Sequence, residues 1–185
     1  MSILDIKVFF TKIKRLKDDW NKQDEILDLG LNSFAPILSY FFPLILTVIL
    51  FTLSILLDLS IKRILQNIIS SIPSLLGFLI AAATIIISIS NSNLDKKMNN
   101  SPYSYKQVGS AIFFSATKNA FILLIIAFLT PDTFPIKFIL YKEYFVFFIS
   151  IIIFWILSKL LVYIFYGLVF LSSSMETKNE IKENI

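Results

Sequence analysis

The sequence predicts an all-α integral membrane protein, with four transmembrane helices preceded by an N-terminal amphipathic cytoplasmic helix. Three observations predict it. Apolar residues make up 56% of the 185, and the mean hydropathy is +0.77, more than a soluble core of this size needs. The apolar residues come in long blocks. Residues 29–57, for example, hold no charged side chain, and roughly 20 apolar residues suffice to cross a hydrocarbon core about 30 Å thick. Short polar, charged connections separate the blocks.

Residues 1–34 form the first unit. They are charged throughout, unlike a signal peptide, which needs an uninterrupted apolar region and a small-residue cleavage site. Ile3, Ile6, Phe10, Ile13, Leu16 and Trp20 fall at helical spacing, and Ser2 followed by Asp5 gives a capping-box-like start. Lys7, Lys12, Lys14, Arg15 and Lys17 make the first part basic, whereas Asp18, Asp19, Asp24, Glu25 and Asp28 make the next part acidic against Lys22 alone. The basic part suits anionic headgroups, with Lys12, Lys14 and Arg15 as contacts worth about 1 kcal/mol each near the surface. The acidic part reads as a solvated elbow, or as a partner-docking surface made by Asp18, Asp19, Trp20, Asp24 and Glu25. Gly30 is placed to stop the helix and Pro36 to begin the next.

A transmembrane unit follows over residues 35–171, with spans at about 36–57, 69–90, 110–130 and 144–171, and residues 172–185 form a mixed-charge cytoplasmic tail. Pro43 sits in the first turns of span one, where it can kink the helix. Thr47, Ser54 and Asp58 share one face, and Asp58 marks the water boundary. A short loop at 58–67 carries Lys62 and Arg63. Residues 91–110 are rich in Asn and Ser and read as a loop or short surface helix. The IKFILY core of residues 131–143 is too short to cross and suits the interface. With four spans, one side of the membrane holds Lys7, Lys12, Lys14, Arg15, Lys17, Lys22, Lys96, Lys97, Lys106, Lys178 and Lys182. The other holds Lys62, Arg63, Lys137 and Lys142. Eleven cations against four place both termini in the cytoplasm.

Span two carries the clearest pattern. Ser70, Ser74, Gly77, Ala81, Thr84, Ser88 and Asn91 recur at alternating steps of four and three, which on a helix draws one stripe of small or weakly polar residues. Small residues let backbones approach closely, so the stripe, from Ser70 to Ser88, is expected to pack against a neighbouring helix within or between protomers. The other reading is a narrow pore lined by Ser74, Thr84 and Ser88. Two lysines interrupt the later spans: Lys118, followed by Asn119, and Lys159, preceded by Ser158. Lys118 lies about 12 Å from the cytoplasmic end of its span at 1.5 Å per residue, and Lys159 reaches a similar depth. No acidic residue lies within a span core to pair with them. Both are expected to contact lipid phosphates by snorkelling, or to attract anions in an oligomer.

The remaining chemistry is thin. Without cysteine or histidine there are no disulfides, thiol nucleophiles, haem-type axial histidines or usual zinc sites. The sequence has no Gly-rich phosphate loop, GxSxG, HExxH or pair of aspartates inside a span, so no enzyme, cofactor or metal is expected. The net charge of +4 is spread over loops and suits anionic lipid better than nucleic acid. Heavy use of Ile, Phe, Lys and Asn points to an AT-rich bacterial genome.

This layout resembles the KwaA family, the small four-span membrane subunits of bacterial Kiwa anti-phage systems. The charged leading segment, the inward termini and the apolar run SLLGFLIAAATIIIS carry the likeness. The resemblance implies a homo-oligomeric inner-membrane sensor that engages a separate cytosolic effector protein and has no catalytic residue of its own. The expected function is therefore a non-catalytic sensor or scaffold that recruits a soluble partner through residues 1–34, the 91–110 loop or the tail. An ion channel or holin-like permeabiliser is the alternative.

Overall fold

A computed structural model describes residues 3–89, 94–98, 101–130 and 142–176. Among them there is no strand beyond one isolated bridge, Lys97 to Ser104. Five α-helices account for most of the chain: α1, Ile3–Leu31; α2, Phe42–Leu56; α3, Ile61–Ser88; α4, Tyr105–Leu129; and α5, Lys142–Glu176. Four stretches are long and apolar enough to cross a membrane, Ile37–Leu56, Lys62–Ser88, Tyr105–Leu129 and Val146–Ser172. Asn91, the IKFILY core and residues 177–185 lie outside the described residues.

Helix ends follow local chemistry. α1 runs straight through Gly30 and ends where Asn32 takes a left-handed φ of 52°. The stop expected at Gly30 therefore falls two residues later, on a residue that tolerates that conformation. One π turn, Ile37–Phe41, precedes α2. It sits directly before Pro43, which has no N–H to give and whose ring crowds a regular turn. α2 ends in a Schellman motif. Asp58 has φ 48°, its N–H reaches the Ile55 carbonyl at 3.1 Å, and the Leu59 N–H reaches that of Ser54 at 2.9 Å.

α3 begins at Ile61, capped by the Ser60 hydroxyl on the Arg63 N–H. Lys62 and Arg63 thus belong to its first turn rather than to a 58–67 loop, and Pro73 falls inside the helix. α4 likewise begins earlier than expected. A capping box pairs Ser104 with Gln107, so residues 105–110 are helix and the connection ends at Ser104. Lys106 folds back to donate to the Ile89 carbonyl at 3.0 Å, closing the end of α3.

The spine of the bundle is α4, which packs against α1, α3 and α5. Val108, Ala111, Ile112, Phe113, Ala116, Ala120 and Leu123 are fully buried along it. Its small residues bring its neighbours close: a methyl built on Gly109 would lie 3.2 Å from the Phe170 ring. Contacts of Gly109 with Ile86, Tyr105 with Phe170, and Phe113 with Gly167 set α3 and α5 antiparallel to α4.

Among the described residues, α2 packs chiefly on α5 of the other spans. Two buried side-chain hydrogen bonds tie that seam, one between the Ser39 and Tyr163 hydroxyls at 3.1 Å and one from Thr47 Oγ1 to Ser158 Oγ at 3.0 Å. Between helices in a membrane such bonds contribute about 0.6 to 2 kcal/mol each.

The small-residue stripe of α3 does not build this core. Ser70, Ser74, Gly77, Ala81, Thr84 and Ser88 are all exposed, and a methyl added at Gly77 would meet no atom within 4 Å. α3 packs instead through Leu65, Ile68, Ile72, Leu79, Ala83 and Ile86, whose spacing puts them on the opposite side of the helix. The expectation of packing within the protomer is thereby corrected, because bulkier residues on the other face fill the α3–α4 interface. The Thr84 and Ser88 hydroxyls of the stripe are satisfied locally. Thr84 donates to Ile80 at 2.8 Å and Ser88 to Thr84 at 2.7 Å, both to backbone carbonyls, so the face holds no unpaired hydroxyl donor at those positions.

Candidate functional site: a charged cluster where the N-terminal helix meets the bundle

The last turns of α1 dock on α4. Ile26, Leu27 and Leu31 are buried, and Gly30 lies so close that a methyl there would clash with Cγ2 of Val108, itself fully buried. Gly30 is thus a close-approach residue rather than a helix stop. Six residues earlier on α1, Asp24 accepts a hydrogen bond from Nζ of Lys118 and forms an ion pair with it. Gly30 against Val108 and Asp24 against Lys118 make α1 antiparallel to α4.

This pairing corrects two expectations. Lys118 is not left to lipid phosphate or free anions, because its carboxylate comes from outside the spans. Asp24 is not free for a partner protein. The pair is partly wet, with the Lys118 and Asp24 side chains 28% and 43% exposed, which lowers its worth below that of a fully buried bridge.

Lys159 lies beside this pair, near enough for the charges of Lys118 and Asp24 to be felt at its ammonium. It has no carboxylate partner among the described residues. Its Nζ stands instead over two aromatic rings, 5.0 Å from the centroid of Tyr40 and 5.2 Å from that of Trp155, a cation–π arrangement. Trp155 is four residues before Lys159 on the same face of α5, and Tyr40 comes from the π turn that begins span one. Tyr40 thus brings the first turn of span one against Lys159, which is the fourteenth of the 27 residues of Val146–Ser172, where an unpaired charge is costly.

The carboxyl of Asp28, one turn beyond Asp24, is raised from its ordinary value, first by loss of hydration against the docked helix and second by the Asp24 charge. A raised carboxyl binds its proton more tightly folded than unfolded, so stability falls as pH rises from the unfolded value through the folded one. Asp28→Asn is therefore expected to give a small gain in thermal stability at neutral pH. That gain should vanish below pH 3.8, the group's ordinary value; thermal unfolding of both forms across acid and neutral pH measures it.

The other residues singled out in the N-terminal segment do not join the cluster. Lys12, Lys14, Arg15, Asp18, Asp19 and Glu25 are exposed, and Trp20 is half-buried. Nothing at the cluster offers a nucleophile beside a base, and among the described residues no group of His, Cys, Asp or Glu is arranged to hold a metal ion. The arrangement can hold α1 in place and present one cation beside two rings. Sequence reasoning missed the Asp24–Lys118 pair, whose members lie 94 positions apart in the chain.

Fold and cluster together define a multi-pass helical membrane protein whose N-terminal helix is pinned to its bundle by an ion pair. The chain matches no known family model, no curated protein and no solved structure.

Proposed function

We propose that this chain is a non-catalytic, oligomeric sensor or scaffold subunit of a bacterial inner membrane, which presents α1 to a cytosolic effector as part of an anti-phage defence complex. The observation that carries the reading is the division of α1. Its last turns are buried against α4 and tied by Asp24 to Lys118, while Lys12, Lys14, Arg15, Lys17, Asp18, Asp19, Lys22 and Glu25 are all exposed. A charged helix held rigidly to a membrane bundle is a docking arm. The eleven-to-four cation count supports an arm on the cytoplasmic side, and the likeness in layout to the KwaA subunits supports the defence role. Tagged full-length protein is expected to carry a soluble protein with it from its native membranes, and Asp18→Lys, Asp19→Lys and Glu25→Lys together to lose it. Unchanged recovery with that triple variant would remove α1 as the docking arm.

Self-association through α3 belongs to the same reading. The stripe of Ser74, Gly77, Ala81 and Thr84 faces outward, has no intrachain neighbour at Gly77 and leaves no hydroxyl unpaired at Thr84, which suits close contact with a second copy. Gly77→Leu is expected to leave the thermal unfolding of the protomer unchanged and to shift the detergent-solubilised protein towards monomer in light scattering. An unshifted mass would place the contact elsewhere. The same outward stripe favours one second reading, a channel in which Ser74, Thr84 and Ser88 of several copies line a pore.

A further inference from the structure

We infer that Lys159 and the apolar groove beside it form a binding site for a single anionic phospholipid, drawn from the surrounding bilayer. This inference is independent of the scaffold reading. Pro36, Ile37, Tyr40, Phe41, Leu44 and Trp155 line a groove on the α2–α5 seam. Its walls are open to the outside, with Tyr40, Phe41 and Leu44 more than half exposed, so an acyl chain can enter from the lipid phase without displacing protein.

The groove is almost purely apolar, and the Lys159 ammonium stands over the rings of two of its lining residues, Tyr40 and Trp155. Those rings take up one side of the cation and leave its remaining N–H donors for an anion. The nearest carboxylate whose charge is felt there is Asp24, and its hydrogen bond goes to Lys118. The Lys159 end of the groove lies beside Tyr40, the fourth residue of the first candidate span Ile37–Leu56, and near a span end Trp, Tyr and Lys side chains anchor to headgroups. A cation with an aromatic collar above an apolar groove recognises a phosphodiester attached to an acyl chain, and an anionic headgroup over a zwitterionic one by its net charge.

The chain itself supplies the probe. It contains two tryptophans, Trp20 and Trp155, so Trp20→Phe in the full-length protein leaves one fluorophore, in the groove wall. The protein is reconstituted in vesicles of brominated phosphatidylglycerol or brominated phosphatidylcholine mixed with the unbrominated lipid, and quenching gives the relative affinity of each at Trp155. The expected result is an association constant roughly five-fold higher for phosphatidylglycerol, from about 1 kcal/mol per cation at an anionic surface at 1.4 kcal/mol per tenfold. Lys159→Gln is expected to abolish the preference, Lys159→Arg to keep it, and Lys62→Gln, which removes an exposed cation of α3, to leave it unchanged. Equal quenching by both lipids in the protein with Lys159 intact would overturn the proposal without recourse to any further variant. Relief of phosphatidylglycerol quenching by millimolar inorganic phosphate would also overturn it, because the site would then read the phosphate alone.

Discussion

Asp24→Asn releases the end of α1 from the bundle: that is the expected result, and the absence of cysteine makes it measurable. A single reporter, Leu27→Cys, places a thiol at a position that is 2% exposed against α4, in a chain with no other thiol. Removing the Asp24 charge leaves Lys118 unpaired where its charge is felt at Lys159. Breaking a fully buried pair costs about 3 to 5 kcal/mol. With side chains 28% and 43% exposed, water screens part of that, and about 1 to 2 kcal/mol is expected. Opening of the α1–α4 contact should rise accordingly, and maleimide labelling of the reporter should accelerate roughly 5- to 30-fold. Exchanging the charges, Asp24→Lys with Lys118→Asp, should restore most of the protection. Slow labelling in the Asp24→Asn background would show that apolar contacts alone hold the helix.

Gly167→Leu should be the most damaging single change within the spans. A methyl at Gly167 would lie 2.9 Å from both Cε2 and Cζ of Phe113 and 3.3 Å from Ile112. Phe113 and Ile112 are fully buried, so neither has a free direction in which to move, and a leucine adds three further carbons. Overpacking of a close-fitted core costs about 1 to 3 kcal/mol, and the upper half of that range is expected here. Because α5 is also the helix on which α2 packs, the strain should reach the Thr47–Ser158 contact. Unfolding of the purified protein by titration with SDS measures the loss. Phe113→Ala in the same chain should recover part of it, a coupling that only direct contact produces.

The spans were legible because bilayer thickness sets a length that hydropathy alone can recognise. Their ends were less so. The Ser60 cap and the Ser104–Gln107 box moved the starts of α3 and α4 by several residues, and each depends on local polar geometry beside an otherwise apolar run.

That α4 rather than α3 is the helix packed on most sides has a physical reason. The outward stripe of α3 is more regular than the small residues of α4, where Gly109, Ala116 and Ala120 are interleaved with Phe113, Lys118 and Asn119. Without water to drive burial between helices, small residues mark close contact without saying with what, and the less regular helix proved to be the one surrounded. At the cluster, Lys118 was recognised as out of place, but its partner lies 94 positions earlier. Which helix face turns towards which neighbour is not encoded in either segment alone.

We propose that this chain acts as a scaffold and not as a pore. The most direct measurement is ion flux from liposomes reconstituted with the purified oligomer and loaded with a potassium- or chloride-sensitive dye. The scaffold predicts permeability equal to that of protein-free liposomes at every protein-to-lipid ratio. A flux that scales with protein and is altered by Thr84→Lys on the outward stripe would contradict it.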